Sequence, residues 1–172
     1  MQKLLDTLRS SLPELTFTPG EKFYWSPETR EVMYREQETG NKEHAWALLH
    51  ETGHALLGHA SYKTDVELLK MEIAAWEKAR ELGQRFDIMI DENHVQDCLD
   101  TYRDWLHARA LCPTCKTRCL QNNSGHSYRC HNCHTSWKVT PSRFCRPYRS
   151  VQNGEPVVVF PAQASATTSL RS

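Results

Sequence analysis

The pattern His50-Glu51-Thr52-Gly53-His54 constrains this chain more than any other stretch, because its spacing is useful only on a helix. Positions i and i+4 lie about 40° apart around a helix axis, so both imidazoles point to one side and can grip one zinc ion. Glu51 is offset beside them, where a carboxylate can take a proton from a water that the metal activates. The flanks, Ala45-Trp46-Ala47-Leu48-Leu49 and Ala55-Leu56-Leu57, are apolar and predict a buried helix. Two histidines and a glutamate in a core need polar partners. A metal supplies them; histidines that merely hydrogen-bond are the alternative.

Helical geometry picks a third ligand from several downstream carboxylates. Thr64-Asp65-Val66-Glu67 reads as a capping box that opens a helix running to about Leu82, with Gly83 as its stop signal. Leu68, Leu69, Ala75, Trp76 and Ala79 form one apolar stripe on that helix, and Glu72 falls in its middle. Glu67, Lys70, Glu77, Lys78 and Glu81 lie opposite. A lone carboxylate in a core-facing stripe is costly, and coordination to a cation removes the problem. A salt bridge to a buried Arg, or a rotation that carries Glu72 to the rim, would do so too. His59 is the rival ligand, but the long motif H-E-x-x-H-x-x-G-x-x-H needs Gly and His where this chain has Leu57 and Ala60. His59 is expected at the helix end, interacting with the last carbonyls, and can approach the site only if the helix stops at Gly58.

With these motifs in place, residues 1–110 resemble a small gluzincin-type metallopeptidase of the ImmA/IrrE family, in which H-E-x-x-H is followed by a Glu on the next helix. Glu72-Ile73-Ala74-Ala75 is similar to the family's E-x-x-A pattern around the third ligand. The resemblance implies His50, His54 and Glu72 as zinc ligands and Glu51 as catalytic base. It also implies that the substrate backbone lies along a sheet edge beside the metal. Phe23-Tyr24-Trp25 and Val32-Met33-Tyr34, separated by the turn-rich Ser26–Arg30, read as a hairpin and supply the candidate edge. Residues 2–12 read as an amphipathic helix through Leu4, Leu5, Leu8 and Leu12. Asp91 to about Ala110 reads as another, burying Val95, Cys98, Leu99, Tyr102, Trp105 and Leu106. For the oxyanion, His59, His94 and the hairpin tyrosines are candidates.

Residues 111–149 form a second unit. Cys112-Pro113-Thr114-Cys115 and Cys130-His131-Asn132-Cys133 are two C-x-x-C knuckles, which together predict a closed four-cysteine site of the zinc-ribbon kind. So short a segment has little core, and metal binding supplies much of its stability. Cys119, Cys145, His126, His131 and His134 are spare donors. Cys130-His131-Asn132-Cys133-His134 also satisfies the haem-attachment pattern, but that chemistry belongs to exported proteins. Seven cysteines is an odd number for a disulfide framework, and a thioredoxin-like pair lacks a βαβ setting. No internal repeat is evident.

Charge divides the chain where the motifs do. Its 21 basic and 21 acidic side chains cancel, yet residues 1–110 carry 13 Lys and Arg against 20 Asp and Glu, while residues 111–172 carry 8 against 1. Lys116, Arg118, Arg129, Lys138, Arg143, Arg146 and Arg149 alternate with Tyr128, Trp137, Phe144 and Tyr148. Basic residues interleaved with aromatics suit a phosphate backbone and stacked bases, so Arg118, Arg129, Trp137, Lys138, Arg143 and Arg146 are candidate contacts to DNA or RNA. The same charges could compensate a zinc held by four thiolates, or dock on the acidic first unit.

No apolar run approaches a membrane span, and Met1-Gln2-Lys3-Leu4-Leu5-Asp6 lacks the core of an export signal, so a cytoplasmic protein is expected. Residues 150–172 read as a disordered tail, although Val157–Phe160 could dock. The resulting expectation is an α+β zincin-like domain followed by a zinc ribbon, acting as an endopeptidase on a protein substrate. It uses one catalytic and one structural Zn2+ and leaves the oligomeric state open. Two alternatives stand beside it. One is a SprT-like peptidase acting on DNA–protein crosslinks, whose third ligand is typically histidine. The other is a nucleic-acid-binding adaptor that no longer turns over.

Overall fold

Leu4, Leu5 and Leu8 recur at helical spacing and line the buried side of α1 (Gln2–Ser11). The chain then lays down β1 (Thr16–Gly20), β2 (Tyr24–Ser26) and β3 (Glu31–Arg35) as a sheet of order β1-β3-β2. The hairpin read from sequence is β2–β3, antiparallel, with Trp25 opposite Val32. Strand β1 is an addition, parallel to β3, with Phe17 also opposite Val32. Its Pro19 and Gly20 disguise it as a loop; at a sheet edge a proline need cost no ladder hydrogen bond. Phe17, Trp25, Val32 and Tyr34 turn to the buried face. The computed structural model describes residues 1–36, 41–122 and 127–140, together with the backbone of 148–151 and 157–158.

Helix α2 (Lys42–Leu56) carries the H-E-x-x-H motif and starts at Asn41, whose side chain accepts from the Glu43 amide. It ends in a Schellman motif: Gly58 takes φ +65°, its amide bonds the Ala55 carbonyl at 3.1 Å, and the His59 amide bonds the His54 carbonyl at 3.0 Å. Helix α3 (Asp65–Arg85) opens at the expected cap, with Thr64 accepting from the Glu67 amide, while the Glu67 side chain reaches back to accept from the Lys63 amide, one residue before the cap. Gly83 does not stop it. The helix continues to Arg85, and the bare Gly83 instead lets the following chain fold back, since a Cβ there would stand 2.5 Å from the Ile88 carbonyl oxygen. The core of this unit joins α1, the sheet, α2, α3 and the start of α4 (Glu92–Ala110) through Leu8, Val32, Leu48, Leu49, Trp76, Leu82 and Val95.

The chain separates into two compact units, Met1–Tyr102 and Arg103–Ser172. The sequence reading set the boundary after Ala110; the division falls inside α4, whose last residues belong to the second core. Buried Arg109 there places its guanidinium over the Trp105 ring and donates to the Thr140 carbonyl, while Trp137 Nε1 donates to the Arg109 carbonyl at 3.0 Å. The second sheet runs β4 (Ser127–Arg129), β5 (Ser136–Val139), β6 (Tyr148–Val151) and β7 (Val157–Val158), each antiparallel to the next. Val157–Val158 pair within this sheet, at the stretch of the 150–172 tail read as able to dock. Residues 159–172 lie outside the described residues. Among the described residues no helix is long and apolar enough to cross a membrane.

Helices α2 and α3 approach closely at Gly53, where a Cβ would sit 2.6 Å from the Ala75 carbonyl oxygen. That neighbour is backbone and cannot rotate aside. On an exposed helix Gly→Ala stabilises by about 1 kcal/mol. Here the sign reverses: Gly53→Ala is expected to cost about 1–3 kcal/mol as the helices are wedged apart. Urea unfolding followed by circular dichroism measures it, and a stabilised variant would contradict the crossing.

Candidate metal centres

The i, i+4 spacing on α2 puts the His50 and His54 Nε2 atoms 3.2 Å apart, as the motif predicts. One turn along α3 from the Gly53–Ala75 crossing, Glu72 reaches in, its Oε2 3.2 Å from His50 Nε2 and 3.6 Å from His54 Nε2. All three residues are buried, at 8%, 9% and 6% exposure. Among the described residues no Arg pairs with Glu72, and at 6% exposure it is not at a rim. The three donors form a group able to hold a metal ion. A tetrahedral ion with bonds near 2.0–2.1 Å spaces its ligands by about 3.4 Å, which the triangle fits. Burial opposes ionisation of Glu72, but the hydrogen bonds from His50 and His54 outweigh it and hold the carboxyl below the usual carboxylate range. It stays anionic, the form able to hold a cation.

Several residues around this triangle were not legible as partners. Trp76, read only as a member of the apolar stripe, stacks on the His50 ring with centroids 4.2 Å apart. The Trp25 amide in β2 donates to Glu51 Oε2 at 2.8 Å, so the edge strand and the candidate base are in direct contact. His59 is not among the three grouped donors; its Nδ1 lies 2.8 Å from Nδ1 of His54. Only its backbone amide meets a terminal carbonyl of the helix. Burial, then the neighbouring His54, lowers its pKa. Among the oxyanion candidates, His94 packs on Trp46 and Trp76, and Tyr34 is turned to Arg9.

In the second unit the four knuckle cysteines converge. Cys112 Sγ is 3.5 Å from Cys133 Sγ, and Cys115 Sγ is 3.4 Å from Cys130 Sγ, close to the roughly 3.8 Å between thiolates on a tetrahedral zinc. The knuckles share one construction. The amides of Cys112 and Cys130 bond the carbonyls of Thr117 and Thr135, each at 2.8 Å. The amides of Lys116 and His134 bond back to Cys112 and Cys130, each at 3.1 Å, and both residues take left-handed φ, at 61° and 59°. Cys112–Thr117 and Cys130–Thr135 are thus a short internal repeat, C-x-x-C-x-T, against the expectation of none. Burial pushes the Cys112 thiol up; the Thr117 hydroxyl and amide pull Cys115 down, and the Cys133 amide does the same for Cys130. Cys119 is buried beside the knuckles but outside the group of four.

The proposed nucleic-acid contacts part company here. Arg118, Arg129 and Lys138 are exposed, and the last two project from the same face of the β4–β5 ladder. Trp137 is fully buried: it stacks on Tyr128 at 5.4 Å and lies in the core with Cys112 and Cys130. It occupies the inward phase of β5 and cannot stack on a base, which corrects that assignment. Arg143 and Arg146 lie outside the described residues. Comparisons with protein-family models, curated proteins and solved structures found no match to this chain.

Two independent donor groups predict two independent metal losses. In protein loaded with zinc, Glu72→Gln is expected to lower the content from about two ions to one, and Cys115→Ser to remove the other. Elemental analysis of both variants checks this. An unchanged content in Glu72→Gln would withdraw that ligand.

Proposed function

We propose that the chain is a zinc-dependent endopeptidase of the gluzincin type, with His50, His54 and Glu72 holding the ion and Glu51 moving the proton. The observation that carries this reading is the buried triangle of two imidazole nitrogens and one carboxylate oxygen at ligand spacing, with Glu51 next to His50 in sequence on the same helix. Held by these three residues, an ion would keep room for water or substrate, as in catalytic rather than structural zinc sites. When bound, zinc supplies Lewis acidity, polarising a carbonyl and acidifying water. Glu51 then accepts the proton of the attacking water and delivers one to the leaving nitrogen. Trp25 holds Glu51 against β2, whose outer edge is unpaired in the sheet order; an extended peptide laid along that edge meets Glu51 directly. A carboxylate third ligand favours this class over SprT-like peptidases.

In the same reading the cysteine group holds a structural zinc, and the ribbon targets the enzyme to substrates on nucleic acid. Buried Trp137 removes base stacking from that idea, while Arg118, Arg129 and Lys138 keep a cationic face suited to phosphate. Thiolate ligands of this kind suit the reducing cytoplasm.

Glu51→Gln separates enzyme from adaptor. It deletes the base and no ligand, so zinc content and fold are expected to stay while cleavage of a peptide library, read by mass spectrometry, falls at least ~10²–10⁴-fold. Zinc-loaded wild type that cleaves no better than Glu51→Gln would favour the adaptor.

For the ribbon, the full chain is expected to bind duplex and single-stranded DNA comparably, with a log–log salt slope near −0.7 to −0.9 per phosphate contact. Arg129→Ala and Lys138→Ala should each make that slope shallower by about one contact. Fluorescence anisotropy across a salt series measures it, and binding that is absent at low salt would redirect the face to a protein partner.

A further inference from the structure

We propose that His59 is a positioning residue for the metal site, acting through His54. The proposal rests on the zinc reading above and adds a residue to it. A histidine that ligates through Nε2 carries its proton on Nδ1, and a buried Nδ1–H needs an acceptor. The partner on His54 Nδ1 is the Nδ1 of His59, at 2.8 Å, with the rings edge to face at 68°. His59 accepts there only if its own proton sits on Nε2, so the pair defines both tautomers at once. The contact is on the side of the His54 ring away from Nε2, which is why His59 supports the site and does not ligate.

Three features fix the backbone that carries the His59 ring. Gly58 takes the left-handed φ that turns the chain back after α2, and among the described residues nothing lies within 4 Å of where its Cβ would be, so the glycine serves backbone conformation rather than space. The His59 amide closes on the His54 carbonyl. The Trp25 indole donates to the His59 carbonyl at 2.8 Å. Trp25 therefore ties the edge strand both to Glu51, through its amide, and to the His59–His54 pair, through its ring. The other ligand is treated differently: His50 Nδ1 is buried with no hydrogen-bond partner among the described residues, and that ring is oriented by stacking on Trp76.

The test measures zinc affinity in the full chain by competition with dipicolinate, with His50→Ala marking the signal of this site and the cysteine site as internal reference. His59→Ala is expected to weaken zinc about 10–100-fold at this site alone. His59→Asn, whose Oδ1 falls near the place of Nδ1, should recover most of the loss. Nitrogen-15 NMR of zinc-loaded wild type should show His54 protonated at Nδ1 and His59 at Nε2. Unchanged affinity in His59→Ala, a His59→Asn variant as weak as His59→Ala, or a His59 protonated on Nδ1 would each overturn the proposal while leaving the ligands standing. A His50→Ala variant that keeps its full zinc content would instead remove the underlying site, and the proposal with it. If His59→Ala fails to fold, His59→Asn and the wild-type spectrum still decide.

Discussion

The close approach of α2 to α3 at Gly53 and Ala75 is the constraint on which the first unit depends. Two helices that meet through ordinary side chains stay about 8–10 Å apart. Removing the side chain on one and leaving only a methyl on the other brings them closer, and a short carboxylate one turn away can then span the gap. Glu72 reaches His50 and His54 for this reason. The E-x-x-A spacing on α3 thereby acquires a mechanical meaning: the Glu supplies the donor and the Ala admits the partner helix.

Around that crossing, one aromatic residue from the sheet joins parts distant in sequence. Trp25 lies 26 residues before Glu51 and 34 before His59, yet it bonds both, one through the backbone and one through the ring. Its burial anchors the edge strand to the core while its amide faces outward. The consequence is that β2 and the end of α2 cannot shift independently. The second unit solves a different problem. Among the described residues its core is Ala110, Tyr128, Trp137, Val139 and three cysteines, little apolar surface to set against the entropy of ordering, and the four-cysteine group there could hold a metal ion. The Arg109 guanidinium, laid on Trp105 and bonded to the Thr140 carbonyl, extends that core with polar contacts.

Much of this was legible because periodic signals are local. The leucines of α1, the stripe of α3 and, on α4, Val95, Leu99 and Trp105 follow from 3.6-residue periodicity, while Cys98, Tyr102 and Leu106 of the face expected for α4 are only half-buried; the cap at Thr64 marks a true helix start. The misreadings share a cause. Gly83 looks like a stop signal, but its smallness answers to the Ile88 carbonyl, a contact invisible along the chain. Pro19 hides β1 because a proline's tolerance depends on whether its strand lies at an edge. Trp137 among basic residues suggests a surface for bases, whereas the phase of β5 against Tyr128 turns it inward.

The amino-acid sequence by itself determined the donors: two histidines one helical turn apart, a glutamate placed in an apolar stripe, and two C-x-x-C pairs. The grouping of candidate donors is encoded in short spacings, and these survive without knowledge of the rest of the fold. Only the tertiary structure decided which groups surround those donors. Trp76 on His50, His59 on His54 and Trp25 on Glu51 each join segments whose approach is set by helix crossing, strand order and a left-handed glycine. Such approaches depend on how elements pack in three dimensions, and no periodicity along one element records them.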